Sequence, residues 1–106
     1  MFTVIIHTEA EKELKALPTP VQAKMTRLLK KLEISPWLLR EPDSKYLGDG
    51  LFEIRTMGTD IARGLWVYQK GEHIFLLRIF IKKSQKTPSG ELNLAFHRLE
   101  EMKNET

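Results

Sequence analysis

The chain contains no cysteine. Disulfides, thiolate nucleophiles and cysteine-based zinc sites are therefore excluded. Histidine is scarce. His7, His73 and His97 stand too far apart in the sequence to suggest a metal cluster. Aromatic residues make up only 8% of the chain. No apolar run approaches the ~20 residues that a membrane-spanning helix needs. The opening "MFTVIIHTEAEKE" has no cationic segment ahead of its short apolar run, so a signal peptide is not expected and a cytoplasmic location is. Internal repeats, low-complexity tracts and linkers are also missing. So are a Gly-rich phosphate loop and any Ser/His/Asp spacing of a hydrolase.

What is present suits one small folded domain. The 106 residues are 42% hydrophobic and 29% charged, with a formal net charge of +3. That balance is ordinary for a globular domain with a modest core. The mild positive excess permits an anionic partner without requiring one.

Patterning predicts the elements. "FTVII" reads as a strand buried on both faces. Thr8 and Glu11 have capping-box spacing, predicting a helix over about 9–17 with Ala10, Leu14 and Leu17 inward. Thr19, Pro20 and Gln22 repeat the signal for a second helix. Its apolar stripe is Val21, Met25, Leu28, Leu29 and Leu32, with Lys24, Arg27, Lys30 and Lys31 mostly toward solvent. Residues 37–50 read as a loop with Trp37 and Leu38 tucked beneath it. Three strands follow over 51–57, 61–69 and 73–82, joined by short Gly-containing turns. Gly64 inside a strand suggests a bulge or a close approach. A last helix opens at Thr87-Pro88 and carries Leu92, Ala95, Phe96, Leu99 and Met102 inward, with a fraying tail "KNET". The expected fold is α+β in the order β-α-α-β-β-β-α. An antiparallel sheet packs against an N-terminal helix hairpin and a C-terminal helix.

The chemistry that stands out is cationic. Arg55, Arg63 and Arg78 lie in successive strands, and Lys82, Lys83 and Lys86 crowd the end of the last one, just before a helix start. Neighbouring strands are about 5 Å apart, so these groups can converge on a phosphate. A helix N-terminus adds anion-ready amides. The simpler reading is a guarded sheet edge, with arginines paired to carboxylates such as Glu53. Alternation leaves open whether Arg55 and Arg63 share a face, since this depends on the length of the intervening turn. Among aromatics, Tyr68 is the best base-stacking candidate, ahead of Trp66 and Phe80. His97, beside the inward Phe96, is a candidate proton-transfer group.

Several of these pieces together resemble a known family. "KYLGDGLFEIR", "IARGLWVY" and "LLRIFIKKSQKTPSGELNLAFHRLEEM" resemble the RelE/ParE superfamily of bacterial toxins, closest to its HigB-like, phage-derived branch. The matching features are Lys45-x-Leu47, Gly50 to Arg55, Arg63 with the following Trp-x-Tyr, and Phe80-x-Lys-Lys. Gln85 to Pro88, Glu91 and Ala95 complete the set. The resemblance implies the toxin of a type II toxin–antitoxin pair, a single domain that cleaves mRNA on the ribosome without metal or other cofactor. It also implies a helix-turn-helix antitoxin partner. By the same resemblance, Arg63, Lys82 and Lys83 stabilise the phosphate, with Lys45, Arg55 and Lys86 as secondary contacts. The base is left between one of the lysines and His97. Arg63→Ala and Lys82→Ala are expected to abolish toxicity with the fold intact. One departure is plain: the last helix opens with Leu92 and Leu94 and has no tyrosine. The ParE branch shares the fold and inhibits gyrase instead of cutting RNA.

Overall fold

The computed structural model describes residues 1–83 and 85–105. The chain runs β1 (Thr3–Ile6), α1 (Thr8–Lys15), α2 (Thr19–Ile34), a 3₁₀ turn (Pro36–Leu38) and β2 (Ser44–Gly48). It continues through β3 (Leu51–Arg55), β4 (Ala62–Gln69), β5 (His73–Ile81) and α3 (Ser89–Glu105). The strands form one sheet in the order β1-β5-β4-β3-β2. Helices α1 and α2 cover one face and α3 the other, so the α+β architecture expected from patterning is present.

Two features of the sheet differ from expectation. First, β2 is a strand where a loop was expected. It pairs antiparallel with β3 across the turn at Asp49 and Gly50. Both turn residues have positive φ (52° and 82°), the left-handed geometry of a tight hairpin, which Asp-Gly tolerates well. Second, β1 joins β5 in parallel, from Thr3↔His73 to Ile6↔Leu76. It is an edge strand with alternating exposure, so one face of it is solvated.

The helices start differently too. His7, not Thr8, caps α1, its Nδ1 accepting from the Glu9 amide at 3.0 Å. Helix α2 is capped by the backbone of Pro18 with no side-chain bond, so Thr19 is already helical. Its predicted stripe is correct: Val21, Met25, Leu28, Leu29 and Leu32 are all buried. Each such side chain contributes about 1.5–3 kcal/mol when removed from water. Trp37 and Leu38 stay exposed, at 61% and 64%, although Trp37 leans on Phe2. Helix α3 runs to Glu105, so the expected fraying of 103–105 is not seen; Thr106 lies outside the described residues.

Helix α3 seals a second core of Leu51, Leu65, Val67, Phe75 and Leu77 with Ala95 and Met102. Gly64 is a close approach: a Cβ there would lie 3.2 Å from Ile54 Cγ1. The sheet's irregularity sits next to it, where Leu65 pairs with Arg78 and Trp66 with Leu76. Residue 77 is the extra one, so Leu77 and Arg78 both serve the α3 face.

Candidate functional site

The site is built at the end of the sheet where β5 outruns β1. Pairing with β1 stops at Leu76, yet β5 continues to Ile81. Side chains satisfy part of this open edge. The Ile79 amide donates to Glu13 Oε1 at 3.1 Å, and Arg98 donates to the Leu77 carbonyl at 3.0 Å. Glu13 on α1 also binds Arg98 on α3 (2.8 Å) and Arg78 on β5 (2.6 Å). Arg78 in turn binds Glu91 at 2.7 Å. One carboxylate thus ties three elements together around the edge.

This network moves the ionisation of its members. Burial alone would raise the Glu13 carboxyl. The Arg98 hydrogen bond, the Ile79 amide and the charges of Arg78 and Arg98 outweigh it and hold the group below its ordinary value. The hydrogen bond to Glu91 holds Arg78 above its ordinary value against the opposing effect of burial. Arg78 thus ties β5 to α1 and α3 through Glu13 and Glu91. It also stacks over Phe80, 5.6 Å from the ring centre.

Arg55 and Arg63 pair directly across β3 and β4, which places both on the α3 face. This register, continued by the Thr56 amide donating to the Ala62 carbonyl at 2.9 Å, is the one a three-residue turn at 58–60 gives, and it settles the question of face. Arg63 is only 1% exposed. Its guanidinium donates to Thr87 Oγ1 and to the Gln85 carbonyl, both at 2.7 Å, and its Nε lies 3.6 Å from Glu53. Thr87 donates onward to Glu53 at 3.1 Å. So Arg63 clamps the segment joining β5 to α3 against the sheet. Glu53, expected as a carboxylate partner for the sheet arginines, pairs with Arg63. The expectation that Arg63→Ala spares the fold is not supported, because that change strands a buried carboxylate.

Two cavities meet at Arg63. One, of about 490 Å³, is lined by Lys82, Lys83 and Lys86 with Arg78, Glu13 and Glu91. The other, of about 360 Å³, is lined by Lys45, Arg55, Lys86, Glu53 and Thr87. Arg63 and Lys86 border both. Lys82 is held by its own amide, which donates to the Ile61 carbonyl at 2.7 Å, while its Nζ approaches Gln85 Oε1 at 3.4 Å. Lys83 is exposed. Arg55 donates through Nε to the Pro42 carbonyl. The cations predicted from the sequence, Lys45, Arg55, Lys82, Lys83 and Lys86, thus gather around one corner with Arg63 as its floor.

Two predicted residues lie elsewhere. Tyr68 is on the α2 face, in an aromatic group with Phe2, Phe52 and Trp66, and burial raises its phenol above the ordinary value. A base stacked there would be on the wrong side of the sheet from the lysines. His97 points to solvent on α3, 4.0 Å from Glu101, and lines neither cavity. Period-3.6 reasoning could not place it, because an outward flank and a cleft-facing flank share the same pattern. Sequence reasoning missed Glu13 and Arg98. The available signal was Arg98 falling on the inward row of Ala95 and Met102. Among the described residues, no group of three or more His, Asp or Glu side chains converges as a metal site.

The comparisons agree with this architecture. The sequence model of the phage-derived Gp49-like family (DUF891) matches residues 12–100. No curated protein matches the chain significantly. Among solved structures, a doubly substituted mutant of the Escherichia coli toxin RelE in the free state superposes with TM-score 0.68 at 16% identity. That match covers 92% of this chain and 96% of the other. The toxin–antitoxin complex RelBE2 from Mycobacterium tuberculosis gives TM-score 0.58 at 23% identity, covering 76% and 98%. The archaeal RelE–RelB complex from Pyrococcus horikoshii gives 0.59 at 23%, covering 76% and 93%. The resemblance read from the sequence holds at the level of family and fold: the chain belongs to the phage-derived Gp49-like family and has the fold of the RelE toxins.

Proposed function

We propose that this chain is the toxin of a type II toxin–antitoxin pair, an endoribonuclease that cuts mRNA on the ribosome and stops translation. The observation that carries the reading is the convergence of Lys82, Lys83, Lys86, Lys45 and Arg55 on two cavities joined at Arg63. Attack of a ribose 2′-oxygen on the neighbouring phosphate builds negative charge on the phosphoryl oxygens. Protein cations stabilise that charge and can take the place of a metal. Lys82 and Lys83, at the strand end, are the groups assigned to it. Arg63 acts through the segment it clamps and is a positioning residue. With His97 distant, proton transfer falls to side chains that line the cavities, the lysines or Glu53. The toxin–antitoxin complexes among the structural neighbours support an antitoxin partner, and the sequence resemblance makes it one of the helix-turn-helix type.

Lys82→Ala tests the reading. Loss of one preorganised donor of this kind lowers the rate on the order of 100- to 1,000-fold. Induced wild type should arrest growth and leave transcripts cut within codons, and the variant should not. Intact transcripts in arrested cells would sink the proposal.

A second reading is a non-enzymatic protein, either a gyrase inhibitor or an inactive antitoxin-binding regulator. The distance of His97 from both cavities, and the absence of a tyrosine at the start of α3, favour it. Its signature would be a DNA-damage response and supercoiling defects with mRNA untouched.

A further inference from the structure

Helix α2 carries cations that the candidate site does not use. Lys24, Arg27 and Lys31 stand at i, i+3 and i+7, within about 60° of one another around the helix axis. With Arg55 they line a separate cleft of about 250 Å³ between α2 and the end of β3. Its lining holds these four cations against a single carboxylate, Asp43. The excess of three positive charges matches that of each of the two cavities at Arg63, so the cleft is as cationic as the candidate site itself. The cations are also unneutralised. Lys24 donates to the Met57 carbonyl at 2.8 Å, and no described carboxylate lies within ion-pair distance of Lys24, Arg27 or Lys31. On α1 the corresponding surface lysines are paired, Lys12 with Glu9 and Lys15 with Glu11, at 3.1 and 3.5 Å.

The cleft is not isolated. Arg55 borders both it and the cavity of Lys45 and Lys86, which meets the Lys82–Lys83 cavity at Arg63. Cations therefore line a path from the end of β5, across the α3 face, past the end of β3 at Arg55 and onto α2. Lys24 to Lys31 spans about 10 Å along the helix. A nucleic-acid strand carries one phosphate per about 3.4 Å of helix axis, so a row of this length faces more than one phosphate. An acidic peptide would satisfy the charge but not account for the continuity with the lysine corner assigned to the scissile phosphate.

We infer that the α2 cleft is a second RNA-backbone site, in which Arg27 and Lys31, flanked by Lys24 and Arg55, hold phosphates of the same strand whose scissile phosphate lies at the lysine corner. The inference rests on the endonuclease reading for the identity of the strand.

The test is fluorescence anisotropy with labelled 2′-O-methyl oligoribonucleotides, which bind but lack the attacking hydroxyl. A short one spans the corner alone and a longer one spans the whole path. Losing two phosphate contacts should weaken binding of the longer oligomer on the order of 10- to 30-fold near ~0.1 M salt and flatten its salt slope by about 1.4. Arg27→Glu with Lys31→Glu should do this while leaving the short oligomer within about threefold. Lys30→Glu with Lys70→Glu changes the net charge equally but lies outside the cleft, and should leave both oligomers within about threefold. Equal weakening by the two pairs would reduce the effect to bulk charge and overturn the site. So would displacement of the RNA by polyglutamate as readily as by unlabelled RNA, since the cleft would then suit an acidic protein. Lys82→Ala with Lys83→Ala separates the two proposals. If only this pair weakens binding, the α2 site falls and the endonuclease reading stands. If only the Arg27/Lys31 pair does, the α2 site stands and the corner assignment falls.

Discussion

Arg63 shows how a charged residue can be both central to a site and unavailable to it. Its guanidinium is spent on Thr87, Gln85 and Glu53, all within the folded chain. Removing one partner of a buried pair typically costs about 3–5 kcal/mol. For a domain whose total stability is of order 5–15 kcal/mol, that is a large fraction. Arg63→Ala should therefore lower the urea midpoint sharply, and its loss of activity should track unfolding. Glu53→Leu with Arg63→Met should recover much of the stability, because no buried charge is left alone. An Arg63→Ala protein as stable as wild type would show that the clamp contributes little. Glu53 was legible in the sequence as a carboxylate partner for the strand arginines, but its pairing with Arg63 was not. Nor was the burial of the two, since charge patterns do not report depth.

At the scale of elements, the open stretch of β5 is managed by α1 and α3 through Glu13 and Arg98 instead of by another strand. The folded state holds the Glu13 carboxyl below its ordinary value of 4.5. A group lowered in this way contributes stability that is present above its unfolded value. That contribution is lost as pH falls through the lower, folded value. Acid unfolding should therefore begin below about pH 4.5 with a Glu13-dependent slope. Glu13→Gln should be less stable than wild type at neutral pH, and the gap should narrow as the pH drops through that window. A constant gap across the acid range would remove Glu13 from the linkage. The helices and four of the five strands were predictable because their apolar patterns are distinctive. Strand β2 was not: its residues are mostly polar or half-exposed, and the Asp49-Gly50 turn was the only strong signal.

For the whole molecule, the sheet is covered on both faces, and α3 alone covers one of them. Deleting residues 89–106 would bare Leu51, Leu65, Val67, Phe75 and Leu77 together. The truncated chain should lose cooperative unfolding and bind a hydrophobic dye. A partner that displaces α3 must then supply an apolar replacement for Ala95 and Met102. Retention of a sharp thermal transition by the truncated chain would contradict this view of the core.

The amino-acid sequence by itself determined the periodic elements, the buried stripe of α2, the cationic end of β5 and, through motif spacing, the family. These depend on local periodicity and on residue identity, which the linear order preserves. Only the tertiary structure decided that β1 is a parallel edge strand, that Arg63 is a clamp and that Tyr68 and His97 face away from the lysines. It also decided that the cations of α2 meet Arg55 at the end of β3. Strand register, the extra residue at Leu77 and the wrapping of α1 and α3 around β5 set those distances. Such relations arise between residues far apart in the chain, where no local pattern records them.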